Sequence, residues 1–393
     1  MRICLLNDSF PPVVDGVSNA VFNYASVLHE NGDDVVVATP RYPKVDYSNY
    51  PFKVIAYQSL NLAKLASGYR LGNAFSPEAL LELREFKPDI IHSHCPFSSL
   101  MMGRHIRLLT KAPLVFTYHT KFDIDIARAV ASKTIQHTVI RQMINLISIS
   151  DEVWTVSKGA GESLLGLGYE GEYHIMPNGV DFPYGQASKD KVLEVTKGYD
   201  LPDDIPIYLF VGRMFKYKGL EIITNALKII NEKGHDFRMV FIGDGFDYEA
   251  IKKEVAEFNL NDKVFFLGKI EDREVLRAWY TRCNLFLFPS TYDTNGIVVT
   301  EAAACAVPAV LVKGSCAAEG VTDKENGFLI EENAESMSKL LLELGNDIDT
   351  MNKVGLNAEK QLYISWHDAV MKARNRYEII INDYKNKKIR HKT

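Results

Sequence analysis

Cysteine is scarce in this 393-residue chain, five in all, and it comes without pattern. Cys4, Cys95, Cys283, Cys305 and Cys316 are odd in number, irregularly spaced and free of any C-x-x-C pair, which excludes a disulfide framework or a zinc module and leaves reduced thiols. Long hydrophobic runs are also missing. The longest, 302–312, has eleven residues and is interrupted by Pro308, whereas a membrane-spanning helix needs about 20. The opening Met1-Arg2-Ile3-Cys4-Leu5-Leu6 turns polar at Asn7-Asp8, short of the roughly 7–15 apolar residues of a secretion signal. A cytoplasmic protein with no membrane crossing is expected. Positive charge is not in excess: the formal net charge is -5, so no nucleic-acid partner is expected.

What is present is the balance of a soluble globular protein, 47% apolar and 24% charged residues. The length is roughly two to three times a common domain of about 150 residues, so two large domains are expected. In the first half, short apolar stretches at 2–6, 34–39, 53–57, 90–94, 114–118 and 152–156 alternate with helical patterns such as 17–31. The pattern restarts at 207–211 and continues through 238–242, 264–267, 285–288 and 309–312, with a helix over 219–233. Strands of near-continuous Val, Ile and Leu separated by helices predict α/β domains, each with a parallel sheet covered on both faces. The expected division is an amino-terminal domain over 1–181, a linker over 182–206, a carboxy-terminal domain over 207–364, and a terminal segment over 365–393. That last segment reads as a long helix returning to the first domain, followed by a basic tail.

In doubly wound sheets, ligands bind beyond the carboxyl ends of the strands, so the loops after strands carry the candidates. The first such loop ends at Gly16, just before a helix, where backbone amides suit an anion. It contains no G-x-G-x-x-G, and simple turn chemistry is the alternative. In the loop after 207–211, Arg213 and Lys218 flank the start of a helix, a combination suited to a diphosphate, with a solvated basic loop as the alternative. The stretch after 285–288 carries Asp293, Asn295, Gly296, Ile297 and Glu301. Two carboxylates around close-approaching amides suit sugar hydroxyls; one loop carboxylate and one helix-terminal carboxylate is the plainer alternative. His92 and His94, two apart, fall on one face of a strand near Cys95, but no carboxylate or second cysteine stands at ligand spacing, so no metal is expected.

Six motifs in order, P-P-V-V-D-G-V-S-N, H-S-H-C-P-F-S-S-L, T-Y-H-T, I-M-P-N-G-V-D, V-G-R-M-F-K-Y-K-G and D-T-N-G-I-V-V-T-E-A, resemble a retaining glycosyltransferase of family 4. The resemblance implies the GT-B fold, two Rossmann-like doubly wound α/β domains facing across a cleft. It implies that Arg213 and Lys218 bind a donor diphosphate, Glu301 the donor ribose, and Asp293 the transferred sugar. Asn295, Gly296 and Ile297 match the loop that meets sugar and phosphate, Gly16 the amino-domain loop near the phosphates, and His119 an active-site histidine. The backbone around Ile270 matches the place where the base is read. Asp293 stands where Glu is commoner and Asn295 where Phe is commoner. The implied chemistry is transfer from a nucleotide sugar with retention and without metal or other cofactor. Arg213, Lys218 and helix dipoles would stand in for a cation.

For the acceptor, residues 101–150 hold seven basic residues (Arg104, Arg107, Lys111, Lys121, Arg128, Lys133, Arg141) against Asp123 and Asp125. With Leu100-Met101-Met102 and the apolar run 143–147, they suggest an anionic membrane interface, an ordinary solvated helix being the alternative. H-S-H-C-P-F followed by T-Y-H-T-K-F is similar to the branch of the family that glycosylates diacylglycerol or phosphatidylinositol. The favoured expectation is UDP-glucose as donor and 1,2-diacylglycerol as lipid acceptor at the inner membrane face. A GDP-mannose-dependent lipid mannosyltransferase, a transferase with a soluble acceptor and a nucleotide-sugar epimerase are the alternatives.

Overall fold

The near-continuous apolar stretches become buried central strands in a computed structural model of the chain, which describes residues 1–13, 15–61, 70–119, 126, 132–293 and 296–390. The chain divides into two units, one formed by Met1–Gly179 with Trp366–Thr393 and the other by Val180–Ser365.

In the first unit the strands are β1 (Arg2–Leu6), β2 (Asp34–Pro40), β3 (Lys53–Tyr57), β4 (Ser59–Asn61), β5 (Arg70–Gly72), β6 (Ile90–Ser93), β7 (Leu114–Tyr118), β8 (Glu152–Thr155) and β9 (His174–Ile175). Among the described residues, seven of them form a parallel sheet ordered β3-β2-β1-β6-β7-β8-β9, and β4 and β5 pair antiparallel apart from it. Strand order therefore reverses between β1 and β6, which run in register from Ile3 opposite Ile90 to Leu6 opposite Ser93. One face is covered by helices Gly16–Glu30 and Trp366–Arg390, whose Tyr24, Val370 and Tyr377 pack with Leu5 and Trp154. On the other face, Ile106 of helix Ser98–Thr110 and Met143 of helix Lys133–Ile147 pack with Leu6, Ile91 and Phe116.

The terminal helix is also fixed electrostatically. Arg374 meets the buried Asp33 at 2.7 Å, and Arg376 meets Glu152 at 2.7 Å. The chain's amino group completes the Asp33 site at 2.8 Å, and together these hold the Asp33 carboxyl below its usual range against the cost of burial.

The second unit holds β10 (Ile207–Val211), β11 (Arg238–Ile242), β12 (Val264–Phe266), β13 (Leu285–Phe288), β14 (Ala309–Val312) and β15 (Phe328–Ile330). Among the described residues they form one parallel sheet ordered β12-β11-β10-β13-β14-β15, reversing between β10 and β13. Helix Leu220–Glu232 shows why such segments fold as they do. Leu220, Ile223, Leu227 and Ile230 recur at helical spacing and are all buried, each contributing roughly 1.5–3 kcal/mol of apolar burial.

Residues 182–206 are not a free linker, contrary to expectation. They belong to the second unit and contain helix Lys189–Val195. The amide of Ala187 donates to Thr281 Oγ1 at 2.9 Å, and Arg282 donates to the carbonyls of Leu201 and Pro202. The few apolar residues in this stretch concealed the packing from a periodicity reading.

Candidate active site

The carboxyl edge of the second sheet gathers most of the candidate residues on two adjacent strands. Arg213 and Lys218 follow β10; Asp293, Gly296, Ile297 and Glu301 follow β13, its neighbour at the reversal of strand order. Gly219 lets the two loops approach. Its φ is +76°, and a Cβ there would lie 2.4 Å from the carbonyl oxygen of Pro289, so only glycine fits without displacing backbone.

Lys218 ends a short 3-10 turn and is buried. Its ammonium pairs with Asp293 Oδ1, while Ser290 Oγ donates to Asp293 Oδ2 at 2.5 Å. The ammonium also lies 5.7 Å from the ring centres of both Tyr217 and Phe288. A lysine has three N–H donors, so the pair with Asp293 leaves donors for an anion. Arg213 is exposed beside the Phe215 ring, and among the described residues its guanidinium has no ion-pair partner.

Glu301, on helix Ile297–Ala304, is held on both oxygens. Arg273 Nη1 donates to Oε1 at 2.8 Å and Tyr280 Oη to Oε2 at 3.3 Å. The Glu301 side chain is only 7% exposed while that of Arg273 is 51% exposed. Burial raises the Glu301 pKa, and the Arg273 charge and the two hydrogen bonds pull against it. Neither Arg273 nor Tyr280 was among the sequence candidates. They lie seven apart on helix Arg273–Arg282, a spacing that puts both on one face; that face was the available signal.

Gly296 precedes helix Ile297–Ala304 as its N-cap, and Ile297 is partly exposed. Ile270 lies in the loop after β12, half-buried against the core of the unit. Asn295 lies outside the described residues.

The first unit carries Gly16 and His119. Gly16 opens helix Gly16–Glu30, but the amides of Val17 and Ser18 already donate to Asp15 Oδ1 at 2.8 and 2.7 Å. An anion at this helix start therefore competes with a carboxylate for the same amides. His119, after β7, is buried, and burial pushes its pKa down to about 3, so the ring is neutral. His119 Nε2 lies 2.9 Å from His94 Nδ1.

Sequence reasoning also passed over Asp8. Its Oδ1 accepts the Ser99 amide at 2.8 Å, so it caps helix Ser98–Thr110 from the loop after β1 and ties the two sides of the strand reversal together. Among the described residues its Oδ2 is buried without a hydrogen-bond partner. Burial raises its pKa, opposed by Cys95 and Ser99.

His92 and His94 lie close together, ring centres 3.9 Å apart and ring planes inclined by 36°. Among the described residues no group of three potential metal ligands is gathered.

The expected basic, apolar surface over 101–150 needs correction. Leu100, Met102, Met143, Ile144 and Ile147 are core residues facing the sheet. The exposed apolar groups of this region are instead Leu108, Leu109 and Ile135, with Arg104, Lys133 and Arg141 exposed near them in sequence. Arg107 is committed to Asp151 at 2.6 Å. Lys121, Asp123, Asp125 and Arg128 lie outside the described residues. Among the described residues no helix is long and apolar enough to cross a membrane.

Comparison with known proteins matches residues 14–182 to the family Glycosyltransferase Family 4 and residues 194–361 to Glycosyl transferases group 1. The alpha-monoglucosyldiacylglycerol synthase of Acholeplasma laidlawii is 24% identical over 100% of both chains. A GDP-mannose-dependent alpha-mannosyltransferase of Corynebacterium glutamicum is 24% identical over 84% of this chain and 77% of its own. Among solved structures, Anabaena HepE in complex with UDP superposes with a TM-score of 0.74 at 17% identity, over 96% of this chain and 100% of that one. The shared fold is GT-B, two Rossmann-like parallel-sheet domains.

Proposed function

We propose that this chain, which belongs to the family 4 glycosyltransferases by its Glycosyltransferase Family 4 and Glycosyl transferases group 1 domains, moves a hexose from a nucleotide sugar to a lipid hydroxyl. UDP-glucose is the proposed donor and 1,2-diacylglycerol the proposed acceptor, giving an α-glycosyl lipid. The observation that carries the reading is the arrangement at the strand reversal of the second sheet, where Lys218 is buried beside Asp293 with Arg213 on the same loop. Cations and a hydrogen-bonding carboxylate on neighbouring loops suit a sugar joined to a diphosphate. The acceptor rests on the relative whose whole length aligns, a glucosyldiacylglycerol synthase. Ile135, Lys133 and Arg141 are all exposed on helix Lys133–Ile147, which is compatible with contact to an anionic membrane face.

The proposed reaction is front-face substitution. The bond from the sugar anomeric carbon to the diphosphate oxygen breaks, and a bond to the acceptor oxygen forms on the same face. The acceptor proton passes to the departing diphosphate oxygen, so configuration is retained. Arg213 and Lys218 stabilise the charge that develops on the leaving group without a metal. Asp293 and the Gly296 amide orient the sugar, Glu301 takes the ribose hydroxyls, and the loop at Ile270 meets the base. The family resemblance assigns Asn295 and Ile297 to the same donor, and Gly16 and His119 of the first unit to its phosphates and sugar.

The test is mass spectrometry of products formed in anionic vesicles containing diacylglycerol, with UDP-glucose, UDP-galactose or GDP-mannose. Hexosyl-diacylglycerol from UDP-glucose is expected. A product from GDP-mannose alone moves the assignment to the mannosyltransferases, which a second relative favours. Donor consumed only with soluble acceptors removes the lipid, and an interconverted donor sugar without acceptor indicates an epimerase.

A further inference from the structure

Two buried histidines of the first unit meet nitrogen to nitrogen. His94 follows β6 and His119 follows β7, neighbours in the sheet, and His94 Nδ1 lies 2.9 Å from His119 Nε2. The rings are inclined by only 25°, with centres 5.2 Å apart. Burial drives both pKa values down, so neither ring is charged near neutral pH. The remaining nitrogens, His94 Nε2 and His119 Nδ1, are buried and have no hydrogen-bond partner among the described residues.

A neutral imidazole carries one N–H and one bare nitrogen. A 2.9 Å contact between two neutral rings therefore requires one proton between them. If His94 Nδ1 carries it, His119 Nε2 is the acceptor, and His119 must bear its own hydrogen on Nδ1. If His119 Nε2 carries it, His119 Nδ1 is bare and His94 Nε2 bears the hydrogen. In either state one outer nitrogen is a donor and the other an acceptor. The state of His94 thus dictates what His119 offers to a ligand.

The His94 ring is held in place by its surroundings. Its backbone amide donates to the Leu6 carbonyl at 2.9 Å, and Tyr24 meets its ring edge-on at 5.1 Å. Its other neighbour, His92, is locked on both nitrogens, Nδ1 to Tyr377 Oη at 2.5 Å and Nε2 to Thr117 Oγ1 at 2.7 Å.

We propose that His94 is the positioning residue of His119, fixing its tautomer and ring plane so that His119 Nδ1 presents a defined hydrogen-bonding character to a ligand hydroxyl. The consequence for transfer rests on the proposed function; the tautomer coupling does not.

The coupling is read by long-range 15N–1H NMR of the histidine rings in the full chain. Matched tautomers are expected, both rings Nδ1–H or both Nε2–H; a mixed pair would face two hydrogens or two bare nitrogens and overturns the proposal. Variants extend the test. His94→Asn keeps a side-chain amide near the Nδ1 position, and His94→Leu does not. His94→Leu is expected to lower kcat for UDP-glucose and diacylglycerol vesicles by roughly 10–100-fold at unchanged donor KM, with most of the loss restored in His94→Asn. Equal loss in both variants, tracking their thermal stability, overturns the positioning role. A wild-type chain that transfers nothing from UDP-glucose or GDP-mannose defeats the proposed function instead, and the tautomer measurement still decides the coupling.

Discussion

Lys218 and Asp293, 75 positions apart in sequence, form an ion pair between the loops of the two strands where the second sheet reverses its order. The pair puts a buried positive charge at the crevice where doubly wound sheets take ligands. In the first sheet the equivalent reversal is bridged by Asp8 and the Ser99 amide. Each unit thus ties its two strand-end loops together with a carboxylate.

Replacing Lys218 removes the buried cation of the proposed diphosphate site. Lys218→Ala is expected to weaken UDP binding roughly 10–100-fold, the range for charge-assisted hydrogen bonds. Titration calorimetry reads the change, and unaltered affinity would put the phosphates elsewhere.

Glu301 offers a cleaner separation of binding from stability. Burial disfavours its charge, and its partner Arg273 remains half in water when Glu301 is gone. Glu301→Ala is therefore expected to cost activity and UDP affinity, about 10-fold or more, while Tm moves by no more than a few degrees. A variant with full turnover removes the donor site as drawn.

Acid should destabilise the first unit early. His92, His94 and His119 are held neutral by burial, below the ordinary value of 6.5. The unfolded chain binds more protons at these sites, so their contribution is complete above pH 6.5 and is lost as pH falls below it. Each histidine adds up to about 1.4 kcal/mol per pH unit to that slope. Urea midpoints from pH 8 to pH 5 should fall steadily below 6.5; a flat profile would mean that the rings are solvated.

Two glycines should respond unequally. Gly219→Ala puts a Cβ 2.4 Å from a backbone oxygen at positive φ, so a loss of about 2 kcal/mol or more is expected in urea unfolding. A Cβ on Gly16 meets nothing within 4 Å among the described residues. Gly16→Ala should change stability by less than about 1 kcal/mol, and any loss of turnover in it reports on ligand space.

Much of the fold could be read from the chain because both sheets are parallel and covered on both faces. Their central strands, such as 207–211 and 285–288, are uninterrupted apolar runs bounded by polar loops. The three-residue β15 and the β4–β5 pair are too short to leave a period. The loop positions of Lys218 and Asp293, and of Glu301 in the helix after them, followed from strand ends alone. Their partners did not, because Arg273 reaches Glu301 across 28 positions and Asp8 reaches Ser99 across 91. Such pairings exist only once the strands are ordered. The apolar groups at 143–147 were misread for a related reason: the apolar face of an amphipathic helix has the same composition whether it covers a sheet or a membrane, and only the ordered strands decide which.

The terminal helix Trp366–Arg390 gives the chain an unusual order of assembly. It supplies Val370, Ala373 and Tyr377 to a core whose other elements, from Ile3 to Met176, are all made before the second unit. The second unit, Val180–Ser365, leaves the ribosome whole and has every strand it needs. The first must wait, with one face of its sheet covered only by helix Gly16–Glu30, until residues 366–390 are made. A frameshift or stop just beyond residue 365 should therefore yield a folded second unit attached to an aggregation-prone first unit. Chaperone demand during translation should fall on the part of the protein that emerges first.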